Sequence, residues 1–173
     1  MKNIKVPLLK QGKMECGPTT LRMVLKYFNK NLSQKYIINK IGGLRKFGAR
    51  TIDLADFAKS LGFKVYCYSN NKKLSNGKAD IKKPSKLEIL KFLKKGLPVI
   101  VVVRTYILFH EKESDRGHFI VITGYEDGEF GYNDPFDGKQ KDISEEILMK
   151  ALKKHSVDST AYLIVIKPKE IKN

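Results

Sequence analysis

The sequence predicts an α+β fold, a helical half followed by a mostly antiparallel sheet. Apolar residues recur at helical spacing through the first third of the chain, and strand-like runs separated by turn signals dominate the last half. The length, 173 residues with 42% hydrophobic and 30% charged side chains, suits one domain spanning 1–173 with room for a real core. No linker, repeat or low-complexity tract divides it.

The elements follow in order. After an extended segment around Ile4 to Leu9, Gly17-Pro18 opens a helix, where proline costs nothing because the first amides are unpaired anyway. Leu21, Val24, Leu25 and Phe28 place one face of that helix in the core. A second helix starts at Ser33 and stops at Gly42-Gly43. A third runs from a Thr51 cap through Leu54, Ala55, Ala58 and Leu61 to a Gly62 stop. Phe63 to Tyr68 alternates as a strand, with Phe63, Val65 and Cys67 on one face. Asn70 to Pro84 is a lysine-rich loop with an Asn76-Gly77 turn. Ser85-Lys-Leu-Glu88 has the pattern of a capping box and starts a helix that Gly96 ends. Strands then follow at Pro98 to Arg104, His118 to Gly124, Glu129 to Asn133 and Thr160 to Lys167. A helix from Ser144 to Lys154 separates the last two.

Charge and composition exclude several roles. Thirty-four basic against 18 acidic residues leave a net +16, which attracts anionic partners in general. The lysines are spread along the whole chain, tryptophan is absent, and no basic run is interleaved with stacking aromatics. Solvated surface is the reading preferred over a nucleic-acid site. The longest apolar run, Pro98 to Val103, is about a third of the ~20 residues a membrane-spanning helix needs. The first residues lack the apolar core of a signal peptide, so a cytoplasmic address is expected. Cys16 and Cys67 are too few for a disulfide scaffold or a four-thiolate zinc site. Gly42-Gly43 and Gly48 match no phosphate-binding loop. Neither a metal nor an organic cofactor is expected.

Cys16 carries the sharpest chemical signal. It stands immediately before a Gly-Pro helix start, where unpaired amides and the helix dipole favour an anion, the form in which a cysteine attacks. A small buried cysteine is the competing reading. Cys67 shares a strand face with Phe63 and Val65 and belongs to the core. A nucleophile needs a base, and the base an orienting group. Three histidines are available: His110 and His155 lie in charged stretches and read as solvated surface, whereas His118 opens an apolar strand that returns through a turn to Asp134. Whether the two meet depends on the turn. A two-residue Asp127-Gly128 turn pairs position 118 with 137 and sends Asp134 to the opposite sheet face. A three-residue Glu126-Asp127-Gly128 loop, with a left-handed Gly128 in a bulge, makes Asp134 the same-face diagonal neighbour of His118. A Cys16–His118–Asp134 triad therefore requires the shifted register; otherwise His118 is a sheet-end histidine and Asp134-Pro135 a turn.

Gln11 before Glu15-Cys16-Gly17-Pro18-Thr19-Thr20-Leu21, then Gly117-His118-Phe-Ile-Val-Ile-Thr-Gly124-Tyr125, then Asn133-Asp134-Pro135, resembles the papain-like bacteriocin-processing cysteine peptidases, which cut leader peptides after a double glycine. It resembles their stand-alone, peptidase-like relatives still more, from about Val6 to Ile166. The resemblance implies a papain-like fold in which Cys16 attacks the scissile carbonyl, His118 shuttles the proton and Asp134 orients the imidazolium. It implies an oxyanion role for Gln11, whose side-chain amide would act with the Cys16 amide. A peptide or protein substrate follows. The transporter-linked members carry membrane helices and an ATP-binding domain that this sequence does not, so a transporter partner would be encoded separately. The polar segment Tyr106 to Arg116 is expected to form one wall of the cleft. Asp53 and Asp56 are either solvated helix carboxylates or contacts for a basic substrate. A cysteine peptidase is thus the leading expectation. An acyltransferase with the same triad and a non-catalytic peptide-binding domain are the alternatives.

Overall fold

A computed structural model describes residues 3–156 and 161–169. Three helices come first, α1 (Cys16–Tyr27), α2 (Gln34–Lys40) and α3 (Thr51–Ser60), followed by β1 (Lys64–Ser69), a 3-10 turn, β2 (Asp80–Ile81) and α4 (Lys86–Leu93). The second half comprises β3 (Val99–Arg104), α5 (Thr105–Leu108), β4 (Gly117–Glu126), β5 (Glu129–Asp134), β6 (Lys139–Ser144), α6 (Glu145–Ser156) and β7 (Leu163–Lys167). The seven strands form one sheet in the order β2-β1-β7-β3-β4-β5-β6. Only the short β1–β2 pair is parallel, so the sheet is mostly antiparallel and the fold α+β.

Two apolar cores flank the sheet because its central strands alternate their side chains between both faces. Ile100, Val102, Phe119 and Val121 pack with α1 and α3; Val99, Val101, Val103, Ile120 and Ile122 pack with α4 and α6. Leu21, Val24 and Leu25 of α1 are fully buried, each worth about 1.5–3 kcal/mol over exposure. Cys67 lies in the first core beside Phe63.

Local details depart from the sequence expectations in places. Ser33 caps α2, accepting from the Tyr36 amide. Thr51, however, is the first residue of α3 rather than its cap; its hydroxyl donates to the Ala161 carbonyl at 2.9 Å and ties the helix to the chain leading into β7. Ser85 precedes α4 without a side-chain cap, and the Glu88 carboxylate meets the Tyr68 hydroxyl and Lys82 instead of turning back to the helix end. Three elements were not expected: β2, α5 and β6. The expected start of the last strand at Thr160 lies outside the described residues; the strand begins at Leu163. No described helix is long and apolar enough to cross a membrane.

Candidate active site

The hairpin of β4 and β5 decides whether His118 meets Asp134. Its turn is the two-residue one: Glu126 pairs with Glu129, and Asp127 (φ 49°) and Gly128 (φ 87°) are both left-handed, as such a turn demands. This corrects the expected three-residue Glu126-Asp127-Gly128 loop. The needed shift arises within the strand instead. Gly124 pairs with Gly131 but Ile122 with Tyr132, so Thr123 is an extra residue in β4. The register beyond the bulge brings Asp134 to the same face as His118, one diagonal step away. The carbonyl of Thr123 accepts from the Ile4 amide at 2.7 Å.

From that contact the N-terminal segment runs along the hairpin. Asn133 donates from its side chain to the Val6 carbonyl at 3.0 Å, and the Gln11 amide donates to the Pro135 carbonyl at 2.7 Å. The chain then turns into α1 through Met14, left-handed at φ 63°. Glu15 ties the turn: its amide donates to the Gly12 carbonyl, and its carboxylate accepts from the Gly12 amide. Gly17 permits the close docking of α1. A Cβ there would lie 3.1 Å from Leu54 and 3.2 Å from both Ala49 and Phe119. Phe119 is the neighbour of His118, so the missing side chain sets Cys16 against the histidine strand.

Cys16 is half-buried at the first position of α1, where helix geometry leaves the leading amides without intrahelical partners. The His118 imidazole is buried and donates from Nε2 to Asp134 Oδ1 at 2.8 Å. Cys16 is the other side chain that acts on the ring. Burial disfavours the charged ring most strongly, yet the hydrogen bonds to Asp134 and Cys16 together with their charges outweigh it and raise the His118 pKa to about 9. Asp134 is fully buried. Burial opposes its ionisation, but hydrogen bonds from His118, Lys141 and the Phe136 amide hold its pKa down at about 2. The arrangement can do proton-coupled nucleophilic chemistry: a sulfur beside an imidazole, and the imidazole braced by a buried carboxylate.

The other expected site residues fall differently. Gln11 is half-buried near the Asp134-Pro135 corner; its Nε2 donates to the Gly12 carbonyl at 3.3 Å, and its buried Oε1 has no partner among the described residues. His110 is exposed. His155 is buried, not solvated, because the last turn of α6 packs on the start of β4: a Cβ at Gly117 would fall 3.1 Å from its Nδ1. Asp53 pairs with Arg50 at 2.8 Å and with Arg45 at 3.3 Å, and Asp56 pairs with Lys59, so both carboxylates are engaged by basic side chains of this chain. Phe109, in the segment Tyr106 to Arg116, lays its ring 5.4 Å from His118, and Phe136 stacks beyond it at 5.8 Å. That segment therefore walls the histidine. Among the described residues no three His, Cys, Asp or Glu side chains converge on a point that would hold a metal ion.

Sequence reasoning missed Lys141, whose Nζ lies 2.8 Å from Asp134 Oδ2 and 3.0 Å from Asp137 Oδ2. The only signal was the alternation in Lys139-Gln-Lys-Asp-Ile143, which marks a polar edge strand.

The chain resembles several solved peptidase domains. One is the peptidase domain of Streptococcus ComA, a bi-functional ABC transporter involved in a quorum sensing pathway (22% identity, TM-score 0.64, covering 95% of this chain and 99% of that one). A second is a putative C39-like peptidase from Bacillus anthracis (17%, 0.71, 98% and 99%). A third is a double glycine motif protease from an AMS/PCAT transporter, solved in complex with the leader peptide (23%, 0.61, 96% and 94%). These likenesses show the papain-like fold of such domains. No curated protein sequence matches the chain. A family model covers residues 3–159, nearly the whole length, and by that match the chain belongs to the Peptidase_C39 like family, a family of cysteine peptidases.

Proposed function

We propose that Cys16, His118 and Asp134 are the triad with which this cysteine peptidase cleaves a peptide bond. The observation that carries the reading is the buried His118–Asp134 hydrogen bond, with Cys16 the other side chain acting on the same imidazole. In the first half-reaction the Cys16 sulfur attacks the scissile carbonyl, and the tetrahedral intermediate collapses to a thioester. His118 delivers its proton to the departing amine, so no unstable amide anion leaves. In the second, His118 takes a proton from water, hydroxide attacks the thioester, and the cysteine sulfur departs with the acid product released. Asp134 keeps the ring oriented and offsets its positive charge. The Cys16 amide supplies one donor to the developing oxyanion, and Gln11 supplies a second by turning its Nε2 away from the Gly12 carbonyl.

The substrate is a peptide, and a leader peptide ending in a double glycine is the first choice, since the double glycine motif protease was solved with its leader peptide. A separately encoded transporter in the membrane and a cytoplasmic site of action belong to the same reading. The test is incubation of the chain with synthetic peptides carrying a Gly-Gly pair, with fragments read by mass spectrometry. Cleavage after the pair that disappears in Cys16→Ala supports both function and substrate class. Cys16-dependent cleavage elsewhere would retain the peptidase and replace the specificity. Cleavage by Cys16→Ala would end the reading.

A further inference from the structure

We propose that Lys141 is a positioning residue of the active site, holding the second oxygen of Asp134 so that the first faces His118 and sharing the carboxylate's charge with the imidazolium. The inference rests on the reading of Cys16, His118 and Asp134 as the triad. Lys141 lies on β6 opposite Tyr132, one diagonal step from Asp134 on the same face. Every oxygen of the buried carboxylate has a donor: Oδ1 accepts from His118 Nε2 and from the Phe136 amide at 2.9 Å, and Oδ2 accepts from Lys141 Nζ at 2.8 Å.

Two consequences follow from removing that ammonium. Oδ2 loses its donor, so the carboxylate is held through Oδ1 alone, by His118 Nε2 and the Phe136 amide. Its whole negative charge then falls on the imidazolium, which holds its proton more tightly. That opposes the work asked of His118, which must release a proton to the leaving amine and then accept one from water. Lys141 prevents both while remaining itself shared with Asp137. The charged and titratable groups around the ring are few. Asp134 faces it from β5, Cys16 from α1, and Lys141 acts through Asp134 from β6, with Asp137 in the β5–β6 turn and His155 on α6 behind Gly117. Phe109, on the remaining side, is uncharged.

The experiment is an NMR titration of the His118 imidazole in the full chain, without substrate, comparing wild type with Lys141→Met, Lys141→Gln and Lys141→Arg. Both neutral variants are expected to raise the midpoint by about one pH unit, and arginine to restore it. The pH dependence of Cys16 alkylation is expected to move with it. Glutamine keeps a hydrogen-bond donor of similar reach, so it decides the matter if the methionine variant folds poorly. A midpoint that stays in place or falls in the neutral variants would overturn the assignment. Such a failure leaves Cys16-dependent cleavage untouched, whereas failure of the peptidase reading would appear in the cleavage assay with the titration unaffected.

Discussion

His118 Nε2 and Asp134 Oδ1 lie 2.8 Å apart, although the two-residue turn joining their strands, continued in register, would put the carboxylate on the other face of the sheet. Thr123 supplies the one-residue shift that brings them together. The same bond sets the pH dependence of stability. His118 is raised from 6.5 to about 9, so its contribution is complete below pH 6.5 and is lost as pH rises through 9. Asp134 is lowered from 3.8 to about 2, so its contribution is complete above about pH 4 and is lost as pH falls through 2. These are one interaction seen from its two ends and are not summed. Melting temperatures should form a plateau between about pH 4 and 6.5, with an alkaline loss that His118→Ala abolishes. An equal alkaline slope in that variant would assign the loss to another group.

Replacing the carboxylate is expected to hurt less than removing the base. His118→Ala deletes the proton shuttle, worth about 10²–10⁴-fold in rate. Asp134→Asn keeps the shape of the side chain but withdraws its charge, so the His118 midpoint should fall well below 9 and the cleavage rate should drop by a smaller factor. Steady-state cleavage beside an imidazole titration checks both halves. An Asp134→Asn enzyme at full rate would remove the aspartate from the triad.

Cys16, His118 and Asp134, the proposed triad, were legible as candidates because each sits at an element end with a local signature: a Gly-Pro helix start, an apolar strand opening on histidine, an Asp-Pro corner. The device joining them was not. Thr123 sits in Ile-Val-Ile-Thr-Gly as an ordinary strand residue, and only the Ile4 amide waiting on its carbonyl distinguishes it. Lys141 escaped notice for a related reason. Lys139-Gln-Lys-Asp offers no apolar face, so β6 is specified by its pairing with β5 rather than by its own pattern. His155 misled in the opposite direction: the residues before it in sequence are lysines, but its helix buries it against a glycine three elements earlier in the chain.

That glycine gives a separable test. A Cβ at Gly117 would stand 2.5 Å from Cε1 of His155 and within 3.2 Å of both ring nitrogens. Gly117→Ala must therefore displace the His155 ring, α6 or the start of β4, an overpacking cost of about 1–3 kcal/mol. Because His118 is the next residue, cleavage should fall along with the melting temperature. Shortening the obstacle in Gly117→Ala/His155→Ala should recover much of both. No recovery in the double variant would show that the strain lies elsewhere.

The two cysteines should separate cleanly by reactivity. Cys67 is buried at 5% exposure in the core, and burial pushes its pKa up to about 12. Cys16 is half-buried and acts on the His118 imidazole. Iodoacetamide labelling read residue by residue by mass spectrometry should modify Cys16 in the folded chain and leave Cys67 untouched until the chain unfolds. Labelling of Cys16 should slow in His118→Ala, since the neighbouring imidazole that would accept the thiol proton is gone. Mutation should divide the pair the other way. Cys67→Ala leaves a core gap costing about 1–2 kcal/mol with cleavage retained, whereas Cys16→Ala should abolish cleavage and barely move the melting temperature. Equal loss of activity in both variants would mean that Cys16 supports the structure rather than attacking the substrate.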